Sequence, residues 1–288
     1  MNEKRLQRVG ANLKHEPRKN ICRCGVCKPD SGRDVDQMKA MENKKIKIFK
    51  YGEILNNDLA LLLKGLGYKG IVFSYSGVPQ KYIDVCEKQG LLWKKEKRGL
   101  SNVSVAEEAF NLVFKWFGHM GLRFELKEKN ALVIGARGFI GREVCRIAEG
   151  FGMNVLDYDV IDERPDWYKK YLKMSEIVFI CTPQLSKPLL GRKEFDLMKN
   201  RPLIVNISGR PSLVDQVVLH EFLDKNLLLG YTADHEPFDA ASDCASQMKV
   251  NKCFFQKHQG AKTLEAIERR LLEKQKNINI LKQIIKSE

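Results

Sequence analysis

The sequence predicts an α/β fold built on a doubly wound parallel sheet, with a second, smaller α/β domain beside it. From residue 46 onward, short apolar segments alternate with segments of helical spacing, which is the pattern of parallel strands covered by helices. A glycine cluster, Gly135, Gly138 and Gly141, separates the apolar residues 131–134 from a helical segment. The chain has 288 residues, 43% of them hydrophobic, so two domains can each bury a core.

The stretch around these glycines predicts a strand, a tight turn and a helix that bind a dinucleotide. Gly138 leaves space for a pyrophosphate at the helix N-terminus, where the helix dipole favours an anion, and Gly141 lets the helix pack closely on the strand. A second strand is predicted over residues 153–158, and Asp159 follows it, where a carboxylate can accept hydrogen bonds from a ribose. Because that carboxylate would repel a 2'-phosphate, the sequence favours NAD over NADP.

The glycine cluster has two other interpretations. It departs from GxGxxG, since Ala136 stands two residues before Gly138, and the GxxGxxG pattern suggests a short-chain dehydrogenase. That class needs a catalytic Tyr-x-x-x-Lys, and none of the eight tyrosines has a lysine four residues later. The remaining alternative is a glycine-containing strand–helix turn that binds no nucleotide.

Before the glycine turn, the pattern predicts a small β-α-β unit and then a long helix. Strands are expected at residues 46–54 and 70–75, with a helix at residues 57–64 between them and a further helix at residues 82–88. The long helix covers residues 101–118. Its apolar face is broad enough to be buried on more than one side, so we expect a homodimer formed largely through the nucleotide-binding domain that contains this helix.

After Asp159 the alternation continues to the end of the chain. Ser212 and Asp215 have the spacing of a capping box that begins a helix. The other predicted elements are strands at residues 177–181, 203–207, 227–231 and 254–255, and helices at residues 193–199 and 263–286.

The net charge of +14 is concentrated near the start of the chain, where residues 1–50 hold 14 Lys and Arg against six Asp and Glu. Such a leader could contact nucleic acid or another polyanion. No aromatic residue stands among its charges before Phe49, so a solvated tail is the preferred interpretation and a nucleic-acid partner is not expected.

The leader also contains Cys22, Cys24 and Cys27. Three thiols at this spacing could bind zinc or an iron–sulfur cluster, but a tetrahedral site needs a fourth ligand, and His15 is the only nearby candidate. A disordered tail that carries cysteines is therefore preferred, and no metal is predicted.

Two observations predict a cytoplasmic location without a membrane partner. No stretch of 18 or more apolar residues is present, and the first 20 residues lack the apolar core of a signal peptide. Four cysteines stand singly inside apolar segments, which predicts reduced, buried thiols rather than disulfides. They are Cys86, Cys145, Cys181 and Cys253.

From about residue 70 to the end, a series of motifs in a fixed order carries a family resemblance. In chain order they are Ser104–Glu107 (SVAE), the glycine turn GFIGREV with FGMNVLDYD, Val205–Asn206 with residues 210–215 (RPSLVD), residues 230–234 (GYTAD), Glu236–Pro237, residues 258–263 (HQGAKT), and Asn277 in the last helix.

These motifs resemble the D-isomer-specific 2-hydroxyacid dehydrogenase family. The resemblance implies a Rossmann nucleotide domain at residues 104–262, and a smaller flavodoxin-like substrate domain formed by residues 46–103 together with 263–288. Residues 1–45 are left as the basic, cysteine-containing leader. The cofactor implied is NAD, and its predicted contacts are Ala136, Gly138, Phe139, Ile140, Gly141, Asp159, Thr182, Pro183, Ser208 and Asp234.

The resemblance also implies an activity: hydride transfer that interconverts a 2-keto acid and a D-2-hydroxy acid. Arg210 would hold the substrate carboxylate and polarise the keto oxygen, and His258 would be the acid/base. Glu236 would raise the pKa of that histidine. A salt-bridged loop arginine and a surface histidine are the alternatives for the first two. The loop that would receive the substrate carboxylate on its backbone amides contains Ser76, Gly77 and Val78.

The sequence departs from the family pattern in several places. Glu236 follows Asp234 by two residues where the family has five, one extra residue stands between Asn206 and Arg210, and Pro79 replaces a glycine. The substrate domain is also short. A second hypothesis therefore stands beside the enzyme: an NAD(H)-sensing binding protein on the same fold, like the C-terminal binding protein corepressors of this family.

Overall fold

The structure is a computed structural model that describes residues 45–163, 165–235 and 252–287. Its strands form two sheets, one of three strands and one of six, and every pair of neighbouring strands is parallel. Residues 1–44, with the cysteine cluster and most of the basic leader, lie outside the described residues, as do Glu236 and Pro237.

The small sheet has the order β1-β2-β3. Helix α1 (Asn57–Gly65) connects β1 to β2, and α2 (Gln80–Lys88) connects β2 to β3. The side chain of Asn56 caps α1 by accepting a hydrogen bond from the backbone of Leu59 at 2.9 Å. The strands are β1 (Ile46–Phe49), β2 (Gly70–Phe73) and β3 (Leu92–Lys95).

Helix α3 (Asn102–His119) runs from the small sheet to the large one and is packed against α4 and the large sheet. Trp116 on this helix is fully buried and its indole nitrogen donates to the carbonyl of Lys252 at 2.8 Å. A Cβ at Gly230 would meet that indole at 2.2 Å, so only glycine fits there. On the same helix, Phe110 is buried, while Phe114 is 45% exposed.

The large sheet has the order β5-β4-β6-β7-β8-β9, which reverses between β4 and β6. In such open sheets the ligand crevice lies at the carboxyl ends of the strands where the order reverses. The doubly wound parallel sheet predicted from the sequence is thus confirmed. Its elements are β4 (Asn130–Ile134), α4 (Phe139–Gly150), β5 (Asn154–Tyr158), α5 (Pro165–Met174), β6 (Ile177–Ile180), α6 (Arg192–Leu197), β7 (Leu203–Asn206), α7 (Gln216–Asp224), β8 (Gly230–Ala233) and β9 (Cys253–Phe255).

Several predicted boundaries are wrong. The strand expected at residues 46–54 ends at Phe49, because the chain turns at Gly52, whose φ is +92°. The strand expected at residues 227–231 begins three residues later, at Gly230. Neither β3 nor α5 was predicted from the sequence pattern.

The predicted capping box at Ser212 is also wrong. Ser212 lies in a 3₁₀ turn, and Asp215 itself is the N-cap of α7, accepting from the backbone of Val217 and Val218 at 3.1 Å. Pro211 begins the 3₁₀ turn, since its restricted φ suits the first position of a helical turn.

The last helix, α8 (Leu264–Ser287), returns to the small sheet. The amide of Asn277 donates to the carbonyl of Lys95 at 3.1 Å, and Leu281 packs against Gly70. Arg270 pairs with Glu96 at 3.1 Å. These contacts agree with the expected return of the last helix, while the domain boundaries themselves stay a prediction. Within the described ranges, no helix is both long and apolar enough to cross a membrane.

The four described cysteines carry free thiols, as predicted. Cys86 is buried, but Cys145, Cys181 and Cys253 are only half-buried, so the expectation of full burial was correct for one of them. Burial raises the pKa of Cys86 to about 11 and that of Cys145 to about 12, which keeps both thiols protonated and unreactive near neutral pH.

Candidate active site

The turn between β4 and α4 leaves no room for a side chain at Gly135 or Gly141. A Cβ at Gly141 would lie 2.1 Å from the carbonyl oxygen of Gly135, and Gly135 itself has a φ of +91° against the backbone of Cys181. Gly138 is the N-cap of α4 and has no side chain to occupy the space before the first helical amides. The turn therefore fits an anionic group that approaches the backbone at the start of α4.

The loop after β6 lies against this turn. A Cβ at Gly135 would be 3.1 Å from the backbone nitrogen of Thr182. The hydroxyl of Thr182 is buried, and it has no hydrogen-bond partner within the described part of the chain. A buried hydroxyl without a partner beside the glycine turn fits a ligand that supplies one. Pro183 follows it and is exposed.

Asp159 lies at the end of β5 as expected, and it contacts the glycine turn. Its Oδ2 accepts a hydrogen bond from the backbone nitrogen of Arg137 at 3.0 Å. The guanidinium of Arg137 in turn pairs with Asp157 on β5 and, at 3.1 Å, with Asp162 in the following 3₁₀ turn. The acidic end of β5 and the glycine turn thus form one hydrogen-bonded unit.

A histidine–carboxylate pair lies beyond the carboxyl ends of β8 and β9. The Nδ1 of His258 is 2.8 Å from Oδ2 of Asp234, whose side chain is fully buried. The other carboxylate oxygen, Oδ1, accepts from the backbone nitrogen of Gly209 at 3.2 Å. The imidazole itself is 62% exposed and can therefore reach a substrate.

The environment of His258 favours its charged form. The contact with Asp234 raises the pKa of His258, while burial and the positive charge of Arg210 oppose that rise. The histidine therefore stays protonated to a higher pH than an isolated imidazole. A proton donor in the reducing direction needs this property.

Arg210 lies next to this pair, in the loop after β7. Gly209, with a φ of +65°, packs under the imidazole of His258, and a Cβ there would be 2.9 Å from Cε1. Asn206 holds the loop by donating to the carbonyl of Arg210 at 3.1 Å and accepting from the hydroxyl of Ser208 at 2.6 Å. The loop therefore keeps Arg210 near His258 despite its extra residue, close enough for the charge of Arg210 to act on the imidazole.

The sequence of the chain also matches a family model. The family model of the D-isomer specific 2-hydroxyacid dehydrogenase NAD binding domain matches residues 102–260, more than half of the chain. The chain belongs to this dehydrogenase family. Its NAD-binding domain contains the glycine turn, Asp159 and the His258–Asp234 pair, and NAD is its cofactor.

Two curated relatives illustrate the extent of the match. D-3-phosphoglycerate dehydrogenase of Methanocaldococcus jannaschii is 24% identical over 260 residues, which are 80% of this chain and 48% of that protein. D-3-phosphoglycerate dehydrogenase of Escherichia coli K12 is 30% identical over 158 residues, 50% of this chain and 38% of the relative. The matched region thus spans less than half the length of these curated relatives.

Solved structures share the fold along most of the chain. D-lactate dehydrogenase of Lactobacillus jensenii with NAD⁺ has a TM-score of 0.70 at 22% identity, covering 87% of this chain and 86% of that one. D-2-hydroxyisocaproate dehydrogenase has a TM-score of 0.72 at 16% identity, covering 88% and 87%.

In this chain, the loop predicted to receive the substrate and the glycine turn belong to different sheets. Ser76, Gly77 and Val78 follow β2 at the carboxyl end of the small sheet, between β2 and α2. The segment that leads from the small sheet into α3 contacts the nucleotide turn directly, because Gly99 packs against the ring of Phe139. A Cβ at Gly99 would be 2.9 Å from that ring.

Sequence reasoning missed two features of the site. It assigned Asp234 only to the cofactor, and did not foresee that its carboxylate lies against His258. It also passed over Arg137, although two features were visible in the sequence: an arginine inside the glycine turn, and three aspartates within the six residues 157–162 at the end of the next predicted strand. Glu236, the carboxylate that it chose for His258, lies outside the described residues.

Proposed function

We propose that this chain is an NAD-dependent dehydrogenase that interconverts a 2-keto acid and a D-2-hydroxy acid by hydride transfer. The observation that carries the proposal is the His258–Asp234 pair, held by Gly209 beside Arg210 at the carboxyl ends of the sheet that binds NAD. An exposed imidazole with a raised pKa and an adjacent guanidinium suit the reduction of a carbonyl next to a carboxylate.

His258 is the proposed acid/base. When NADH is bound, it supplies the hydride to C2 of the keto acid. His258 gives its proton to the keto oxygen as negative charge develops there, and takes it back in the oxidising direction. The buried carboxylate of Asp234 stabilises the imidazolium. Glu236 stays a predicted second carboxylate at this histidine.

Arg210 is the proposed substrate cation. Its planar guanidinium suits a bidentate contact with the substrate carboxylate, and its charge would polarise the keto oxygen. The backbone amides of Ser76, Gly77 and Val78 are proposed to receive the same carboxylate from the side of the small sheet. The curated relatives named D-3-phosphoglycerate dehydrogenase and glyoxylate reductase support a substrate of the 2-keto or 2-hydroxy acid class.

The residues proposed to hold NAD lie in the glycine turn and in the loops after the strands of the large sheet. The glycine turn of α4 would receive the pyrophosphate, and Asp159 the ribose. Two observations support this assignment: no side chain caps the first amides of α4 at Gly138, and the buried hydroxyl of Thr182 lacks a hydrogen-bond partner among the described residues. The complete set remains Ala136, Gly138, Phe139, Ile140, Gly141, Asp159, Thr182, Pro183, Ser208 and Asp234.

We also propose that the substrate domain consists of residues 46–103 and 263–288, and that the chain forms a homodimer in the cytoplasm. Exposed Phe114 beside exposed Phe151 supports contact through α3, while Phe110 and Trp116 are already covered within the chain. A monomer by light scattering at micromolar concentration would remove the dimer from the proposal. The alternative, an NAD(H)-sensing binding protein, is suggested by the short substrate domain and would fit the basic leader. The enzyme is preferred because the chain retains Arg210, Glu236 and His258.

The test is turnover of NADH by the purified full chain with a panel of 2-keto acids. We expect at least one member to be reduced to the D-2-hydroxy acid, identified by chiral chromatography. NADH binding without turnover of any member would favour the sensing protein over the enzyme.

A further inference from the structure

Arg137 places a positive charge in the glycine turn of the NAD-binding domain. It lies in the glycine turn, one residue before the N-cap Gly138, at the part of the NAD-binding domain where a ribose is expected. Its backbone nitrogen donates to Oδ2 of Asp159 at 3.0 Å. The side chain therefore starts beside the carboxylate that would meet the ribose hydroxyls.

Two further carboxylates hold the guanidinium of Arg137. Its Nε is 3.1 Å from Oδ1 of Asp162, and its Nη1 pairs with Oδ2 of Asp157. Asp157 belongs to β5 and Asp162 to the 3₁₀ turn after it, so the arginine is held from both ends of a six-residue segment. Asp162 is the better shielded partner, with its side chain 14% exposed.

Because its donors are partly occupied, the guanidinium of Arg137 is less available to a cofactor phosphate. A free arginine in this turn could make a bidentate contact with a 2'-phosphate, the group that distinguishes NADP from NAD. Here two of its donor nitrogens are already used by carboxylates. Arg137 and the three aspartates together carry a net charge of −2, which disfavours a phosphate.

We propose that Asp157 and Asp162 set the preference of this chain for NAD(H) over NADP(H) by holding Arg137, in addition to the repulsion from Asp159. Asp159 is itself occupied as the N-cap of the 3₁₀ turn, accepting from Ile161 at 3.4 Å. Removing it lowers the repulsion but leaves Arg137 held. The selectivity thus depends on an arginine that is neutralised rather than absent.

The test compares the dissociation constants of NADH and NADPH, measured by nucleotide fluorescence, for the parent chain and Asp157→Asn/Asp162→Asn. We expect the double variant to bind NADPH at least about tenfold more tightly, with NADH changed by less than about threefold, because the freed guanidinium can make charged hydrogen bonds to the phosphate. Adding Arg137→Gln should abolish the gain. Asp159→Ala should give a smaller gain than the double variant.

Asp166→Asn/Asp196→Asn is the matched control, because it removes two negative charges from exposed positions on α5 and α6. It should leave both constants unchanged. An unchanged NADPH constant in the folded double variant, or a gain that persists after Arg137→Gln, would overturn the proposal.

If the double variant does not fold, Asp157→Asn alone frees Nη1, and a gain of about threefold that Arg137→Gln reverses is expected. No gain in that single variant would also overturn the proposal. Binding needs no keto acid, so failure here is distinct from failure of the proposed dehydrogenase activity.

Discussion

The two sheets differ in how completely the chain covers them. Both sheets have a fully buried centre, with Phe179 and Tyr231 in the large sheet and Phe73 in the small one, so the difference lies at the outer surface. Around β1 and α1 of the small sheet, large apolar side chains remain exposed, and a cavity of about 290 Å³ opens between Phe49 and Leu63. The exposed side chains, between 55% and 76% accessible, are Tyr51, Ile54, Leu61, Leu62 and Leu66.

Steric constraint at glycines shows the same contrast. Around the large sheet, an added Cβ would meet neighbouring atoms at 2.1 Å at Gly141 and 2.2 Å at Gly230. In the small sheet, Gly70 has its nearest neighbour at 3.1 Å, a terminal methyl of Leu281. The proposed sites of cofactor binding and proton transfer thus lie on a closely packed framework, while the part proposed to choose the substrate is more tolerant of change.

The largest effect should come from His258, where the proposed chemistry meets the packed framework. His258→Ala should reduce kcat for keto-acid reduction by about 10²- to 10⁴-fold, because the developing alkoxide loses its proton donor. His258→Gln should be nearly as damaging, since an amide cannot deliver a proton. The NADH dissociation constant should change little.

His220 provides a matched control, since its Nδ1 is 3.0 Å from Asp224 on α7. It is also a histidine beside a carboxylate, but outside the site. His220→Ala should keep kcat within about threefold of the parent. A kcat within threefold of the parent for His258→Ala would exclude His258 as the acid.

The next effect concerns stability and compares the sheets directly. Gly230→Ala should lower the free energy of unfolding by about 3 kcal/mol or more, because the new methyl group would overlap the buried indole of Trp116. Gly70→Ala should cost about 1 kcal/mol, since the Leu281 side chain can move. Denaturant unfolding measures both. Equal losses would remove the steric contrast between the two sheets.

A smaller effect should separate the two carboxylates proposed for His258. Asp234→Asn should lower the pKa of His258, because the carboxylate contact raises it in the parent. The rate of reduction needs protonated His258, so its decline with rising pH should move to lower pH. Proton NMR of the imidazole follows the titration without any turnover.

Glu236→Gln is the comparison variant for this experiment. A larger decrease in the pKa of His258 in Glu236→Gln than in Asp234→Asn would return the main role to Glu236.

The raised pKa of His258 also predicts how the stability of the fold depends on pH. The pair stabilises the fold fully below about pH 6.5, and that contribution is lost as the pH rises through the folded-state pKa.

The smallest effect is expected on the open surface of the small sheet. Leu62 is 58% exposed, so Leu62→Gln should change the free energy of unfolding by less than about 0.5 kcal/mol. Thermal or urea unfolding would detect the difference. A loss above about 1 kcal/mol would show that this surface is covered in solution and that the contrast between the sheets is overstated.

Much of the fold was predictable because its signals are local. The alternation of strands and helices and the spacing of Gly135, Gly138 and Gly141 predicted the large sheet and its turn. Boundaries were less reliable where a turn decided them, as at Gly52, or where a strand's pairing partner fixed its start, as at Gly230. The three-residue error at β8 arose because apolar residues just before the strand extend the same pattern.

By itself, the sequence determined the fold class, the family and the positions of Arg210, His258 and Asp159 at strand ends. Only the tertiary structure decided which groups meet there. His258 contacts Asp234 from 24 residues away, and Arg137 reaches Asp162 across 25. Such pairs depend on the register of neighbouring parallel strands and on close approach at glycines, and neither leaves a periodic signal in the chain.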